Sequence, residues 1–268
     1  MSRPNLRRLL GLPSTVTTCV FNLDGVLIGS AALHAAAWIK TFDEFIWARV
    51  ERTGGSFVPF DPRTDYQSYM HGKPRHEGIR AFLASRGISL PDGDPEDPPG
   101  TETVNGLANR KKEALLRQID EQGVSAFEGS RRYLETARDA GLHCAVVSAS
   151  ANTGTILERA GLAPLIEQSV DGNTIVATKL RPKPAPDIPL AACRMLGVSP
   201  KEAAAFETSP AGVAAARAGG FGIVIGVEPG GRADPLRAKG ADLVVTGLAE
   251  LLERNQPTAN GRPSSRQR

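Results

Sequence analysis

Four short segments bring together residues with chemistry to offer. Asn22 and Asp24 stand two apart just after the apolar run Thr17–Phe21, and Ser148, Ala149 and Ser150 follow the run Cys144–Val147. Lys183 lies between Pro182 and Pro184, and Glu207 and Thr208 follow Ala203–Phe206. A hydroxyl at a strand end, a lysine in a proline-stiffened loop and acids at two neighbouring strand ends make a site for a phosphoryl group with a divalent cation. The hydroxyl and ammonium hold phosphoryl oxygens, while carboxylates hold Mg²⁺, which prefers hard oxygen ligands. Each feature alone is weak; their order and spacing together are specific.

Such residues must be held at strand ends, and the runs that precede them supply the strands. The segments named above, with Ile223–Ile225 and Leu243–Val245, are apolar throughout rather than alternating, as expected of strands covered on both faces. The fold class expected is α/β, a Rossmann-like parallel sheet whose ligand site lies beyond the carboxyl ends of the strands. About 120 residues without a comparable strand separate the first two runs. They open with Trp38, Phe42 and Phe45 at helical spacing, pass a Pro/Asp/Gly-rich loop from Pro91 to Gly100, and end on the helical pattern Arg110–Leu116. We expect an inserted α-helical cap over residues 33–125, a core of 14–32 plus 126–253, and basic, flexible tails over 1–13 and 254–268. The three aromatic residues read as packing within the cap.

Composition narrows the classes. With 268 residues, 41% hydrophobic and 23% charged, the chain can bury a real core and is not disordered as a whole. No apolar run reaches the length of about 18 residues that a membrane span needs, and no secretory leader is legible, so a soluble, cytoplasmic protein is expected. Cys19, Cys144 and Cys193 are far apart and suit buried, reduced thiols; His71, His76 and His143 show no metal-ligand spacing. The net charge of +3 comes from seven arginines in the two tails, leaving a mildly acidic body without the basic face of a nucleic-acid binder. Oligomeric state is not legible.

The segments Phe21–Val26, Val147–Asn152, Lys183–Asp187 and Phe206–Gly212, in this order, resemble the haloacid dehalogenase (HAD) superfamily, specifically its β-phosphoglucomutase-like branch with a helical cap. The resemblance spans residues 16 to 250 or so. It implies a phosphorylated sugar as ligand and Mg²⁺ as cofactor. It implies further that position 22 carries the nucleophile, that Asp24 is the general acid/base, and that Ser148, Ala149 and Lys183 bind the phosphoryl group. Positions 22, 24, 207 and 208 would form the metal site. From the cap it brings His34 near the acid, Gly72, Lys73 and Arg75 to the sugar or its other phosphate, and Lys111 to the cleft. Read on their own, Ser148 and Ser150 could equally cap the following helix, and Asp24 could serve the turn before Gly25.

The departures from that pattern carry consequences. Asn22 puts a neutral amide where the resemblance implies a nucleophilic carboxylate, and an amide cannot form an acyl phosphate by the same route. Thr208 removes a second carboxylate, so Mg²⁺ binding is weakened twice. Removing a covalent nucleophile costs on the order of 10⁶ in turnover. Without metal, Asp24, Glu207 and Lys183 still sum to a single net negative charge, the same as four carboxylates, a lysine and a dication. The expectation is a protein that binds a sugar phosphate with transfer impaired or lost. A slow phosphatase or mutase and a non-catalytic regulatory interaction protein are the alternatives.

Overall fold

A computed structural model describes residues 3–70 and 73–254; the candidate Gly72, with His71, and the stretch 255–268 lie outside the described residues. Six strands, β1 (Thr18–Asn22), β2 (His143–Val147), β3 (Gln168–Val170), β4 (Ala203–Glu207), β5 (Ile223–Val227) and β6 (Leu243–Val245), form one sheet in the order β3-β2-β1-β4-β5-β6. All pairings are parallel, with Asn22 opposite Val147 and Phe21 opposite Phe206. The sequence therefore reads the α/β class and five of the six strands. It misses β3, three residues at the sheet edge with two polar positions, where the apolar signal is too short to register.

In this strand order the connections leave β1 and β4 in opposite directions, opening a crevice at their carboxyl ends. The sheet is buried on both faces. One face carries Phe21, Phe206 and Tyr133, with Phe21 and Phe206 stacked at 4.5 Å between ring centroids. The other carries Val20, Ala145, Ala205 and Val224 against Ala192 and Val213. Cys19, Cys144 and Cys193 are buried free thiols.

The expected tail over 1–13 is, in its described part, a helix, α1 (Arg3–Leu9). Leu6, Leu9 and Leu10 recur at helical spacing, Leu10 is fully buried, and the Tyr133 hydroxyl donates to the Leu10 carbonyl at 2.9 Å. The basic composition masked this apolar stripe.

Between β1 and β2 the chain builds a helical unit from α2 (Ala31–Thr53), α3 (Arg75–Ser85) and α4 (Val104–Gln122). Most of its apolar residues form a cluster of their own centred on Phe42, which stacks on Trp38 at 5.2 Å and lies 4.1 Å from Phe82, while Leu33 and Ala37 of α2 and Ala114, Leu115 and Ile119 of α4 join a cluster of the sheet. Each such aromatic side chain contributes roughly 1.5–3 kcal/mol through burial. Thr103 caps α4 by accepting from the Gly106 amide at 2.9 Å, and Thr103 is in turn bonded to Asp97 in the Pro/Asp-rich loop. A π-helical turn, Tyr66–Met70, precedes α3 and was not legible in the sequence.

Candidate active site

β1 ends at Asn22, and the chain then turns sharply through Leu23, Asp24 and Gly25. Gly25 holds φ +80°, and a Cβ there would meet Thr208 Cγ2 at 3.0 Å, so both conformation and space require glycine. This turn presents Asp24 to a cavity of about 310 Å³ between the sheet and the helical unit. Asn22, Asp24, Ser148, Ala149, Lys183 and Thr208 line it from the sheet side, and His34, Lys73, Arg75 and Lys111 from the helical side. Glu207 stands apart from the wall, 3% exposed, and reaches the site only through Lys183.

The Asn22 amide is held at both ends. Its Nδ2 donates to the Asp24 backbone carbonyl at 2.7 Å, and its Oδ1 accepts from Lys183 Nζ at 3.1 Å. Lys183 also donates to Glu207 Oε1 at 2.5 Å, making a nearly buried ion pair. Thr208 Oγ1 lies 3.4 Å from the same Asp24 carbonyl. Glu207 Oε2 is buried without a partner among the described residues and faces Gly212, where a Cβ would come within 2.1 Å of it.

Asp24 accepts from the Ser30 hydroxyl and, at 3.4 Å, from Ser148 Oγ. Burial raises its pKa, opposed by Lys111, Ser148 and Lys183; the side chain keeps 35% of its surface open, so this is burial in a cavity wall rather than in a core. Ser148 Oγ accepts from the Ser150 amide at 3.1 Å and Ser150 Oγ from the Asn152 amide at 3.2 Å. The hydroxyls thus brace the turn; after α5 (Glu128–Asp139) and β2, the residue flanking α6 (Thr153–Arg159) is Asn152, whose side chain makes no cap bond.

On the helical side Lys111 Nζ lies 2.8 Å from His34 Nδ1 and 5.2 Å from the Trp38 ring centroid. His34 Nε2 has no hydrogen-bond partner among the described residues and points toward Asp24 Oδ1, 3.9 Å away. Burial first, then Lys111 and Arg75, hold the imidazole well below its ordinary pKa, so it is neutral. Burial and the neighbouring Arg75 bring Lys111 to about 7. Arg75 is itself lowered by burial and donates to the Ala108 carbonyl at 3.1 Å, while Lys73 donates to the Ser68 carbonyl at 3.2 Å.

Three contributors escaped the sequence reading. Tyr66 and Met70 reach the cavity through the π-helical turn, and Ser30 through its bond to Asp24. Trp38 was assigned to packing and does pack, yet it also lines the cavity. A hydroxyl six residues beyond Asp24 was the one available signal for Ser30.

The family model for haloacid dehalogenase-like hydrolases matches residues 16–220. A β-phosphoglucomutase of Mycobacterium bovis is 51% identical over 253 residues, covering 93% of this chain and 97% of the relative. The chain belongs to the haloacid dehalogenase-like hydrolases. Within that family, a β-phosphoglucomutase structure from Clostridium difficile superposes with a TM-score of 0.69 at 22% identity, over 90% of this chain and 96% of the other. A mutant CbbY from Rhodobacter sphaeroides in complex with xylulose-1,5-bisphosphate superposes with a TM-score of 0.68 at 23% identity, over 88% and 96%. Both show the HAD fold, a parallel sheet core with a helical cap. No helix among the described residues is long and apolar enough to cross a membrane.

Proposed function

We propose that this chain binds a phosphorylated sugar between its sheet and its helical cap, and that phosphoryl transfer is impaired. The Asn22 amide, locked between Lys183 and the Asp24 carbonyl, carries this reading. The residue at the nucleophile position offers an oxygen already used as an acceptor and no full charge. Ser148 and Lys183 remain to hold phosphoryl oxygens, and Asp24, His34, Arg75 and Lys111 to meet hydroxyls and a second anionic group. The β-phosphoglucomutase relative supports the substrate class. We assign the core to 14–32 and 126–253 and the cap to 33–125; the separate apolar cluster around Phe42 supports a cap with its own packing, while Leu33, Ala37, Ala114 and Leu115 at its base pack with the core. Buried free thiols support a reducing, cytoplasmic setting.

The donor set does not fit Mg²⁺. Asn22 and Thr208 supply neutral groups, the Asp24 carbonyl already accepts from Asn22, and Glu207 is paired with an ammonium. Among the described residues, no group of three or more His, Cys, Asp or Glu could hold a metal ion. Lys183 is then the charge that a phosphoryl group meets.

The 51% identity to a named mutase favours a second reading, in which turnover survives at a low rate. Asp24, with its raised pKa, can keep a proton for a leaving oxygen. A steady-state assay with β-glucose 1-phosphate separates the two. Binding without turnover supports impairment, and turnover at rates ordinary for a mutase rejects it.

A further inference from the structure

We propose that Lys111 is an imine-forming amine, condensing with the carbonyl carbon of an open-chain aldose phosphate whose phosphoryl group is held at the Lys183 and Ser148 end of the cavity. The inference rests on the sugar-phosphate reading and adds a reaction to it, one that needs neither the missing nucleophilic carboxylate nor a metal.

Three features of the site support it. Lys111 is 3% exposed yet lines the cavity, so its side chain is shielded from bulk solvent and within reach of a ligand there. Its hydrogen-bond partner among the described residues is the imidazole of His34 at 2.8 Å, a base rather than a carboxylate. A lysine kept only as a fixed cation is normally set against an acid. Lys111 is instead set among an imidazole, an indole face and the cavity shared with Arg75; the indole and the Asp24 carboxylate across the cavity favour the ammonium, and burial and Arg75 outweigh them. Finally, His34 Nε2 is buried, has no hydrogen-bond partner among the described residues and lies 3.9 Å from Asp24 Oδ1, so the imidazole stands between the Lys111 amine and the Asp24 carboxyl.

Burial and Arg75 place the Lys111 pKa at about 7. At pH 7 such an amine is unprotonated on the order of 10³ times more often than a solvent lysine with pKa about 10.4. In the condensation, the Nζ lone pair attacks the carbonyl carbon and the C=O π pair moves to oxygen, which takes up a proton to give a carbinolamine. The C–O bond then breaks, the hydroxyl leaves with a second proton as water, and nitrogen supplies the pair for C=N while giving up its two protons. His34, in contact with Nζ, is placed to relay them. No oxidant or reductant is involved.

Erythrose 4-phosphate, whose phosphoryl group prevents ring closure onto that oxygen, is the probe, trapped with cyanoborohydride and located by peptide mass mapping. Binding is followed in parallel by thermal shift with erythritol 4-phosphate, which has no carbonyl. The expected result is one adduct, on Lys111, formed roughly tenfold or more faster than on any surface lysine. It should be suppressed by erythritol 4-phosphate and absent from Lys111→Met and Lys111→Arg proteins that melt cooperatively. If erythritol 4-phosphate binds but label spreads over surface lysines or persists in Lys111→Met, the imine assignment is wrong and the cavity reading stands. If neither compound shifts the melting temperature, the cavity reading fails and takes this inference with it.

Discussion

Lys183 Nζ sits 3.1 Å from Asn22 Oδ1, so the lysine that we propose meets the phosphoryl group also fixes the Asn22 amide. The same ammonium neutralises Glu207, whose side chain is 3% exposed. Lys183→Met leaves that carboxylate buried without its partner, a change that typically costs about 3–5 kcal/mol. We expect a lowered melting temperature together with loss of sugar-phosphate binding in titration calorimetry. Retained affinity in a folded Lys183→Met protein would remove Lys183 from the ligand site.

Restoring both missing carboxylates should restore chemistry. Asn22→Asp with Thr208→Asp is expected to bind Mn²⁺ or Mg²⁺ and to raise turnover of β-glucose 1-phosphate by at least roughly 100-fold over the parent, well within the range of about 10⁶ that a nucleophile can contribute. Asn22→Asp alone should gain less, because position 208 still lacks a carboxylate. No gain in either variant would place the defect elsewhere in the scaffold.

Gly212 makes room for Glu207. A methyl group there would lie 2.1 Å from Oε2 and 2.5 Å from Cδ, and the buried carboxylate has nowhere to go without releasing Lys183. Gly212→Ala is expected to lose about 1–3 kcal/mol by overpacking. The control is Gly154→Ala in α6, where nothing lies within 4 Å, which should be neutral or gain about 0.4–1 kcal/mol. Chemical denaturation of the two variants distinguishes a crowded site from a general intolerance of alanine.

Much of this site was legible. Asn22, Asp24 and Ser148 follow apolar runs, whose ends parallel strands bring to one edge, and Lys183 stands out between two prolines. What was not legible depends on tertiary contact. The pairing of Lys111 with His34 joins residues from two helices 77 positions apart, and no periodicity encodes it. β3 is too short and polar to announce itself, and α1 hid its leucines among arginines. The lock on Asn22 was also beyond the sequence, since the residue type told of a missing charge but not of where the amide would turn.

Stability should depend on pH through Lys111. Its folded pKa of about 7 lies below that of an unfolded lysine, so between about pH 7 and 10 the unfolded chain holds a proton that the folded chain has released. Stability of the ligand-free protein therefore rises with pH across the lower part of that window. Asp24, raised by burial, acts oppositely at lower pH, its contribution being present below the unfolded carboxylate value and lost as pH climbs through the folded one. Thermal melts from pH 7 to 9 should show the rise in the parent and a flatter profile in Lys111→Met; identical slopes would mean that Lys111 is not held in the unprotonated form.

The most direct measurement is calorimetric titration of β-glucose 1-phosphate and glucose 6-phosphate into the purified parent chain, once with EDTA and once with Mg²⁺, with product analysis of the same samples. The account predicts saturable binding of equal affinity in both conditions and unconverted ligand afterwards. Affinity that appears only with Mg²⁺, or ligand interconverted at an ordinary mutase rate, would contradict it.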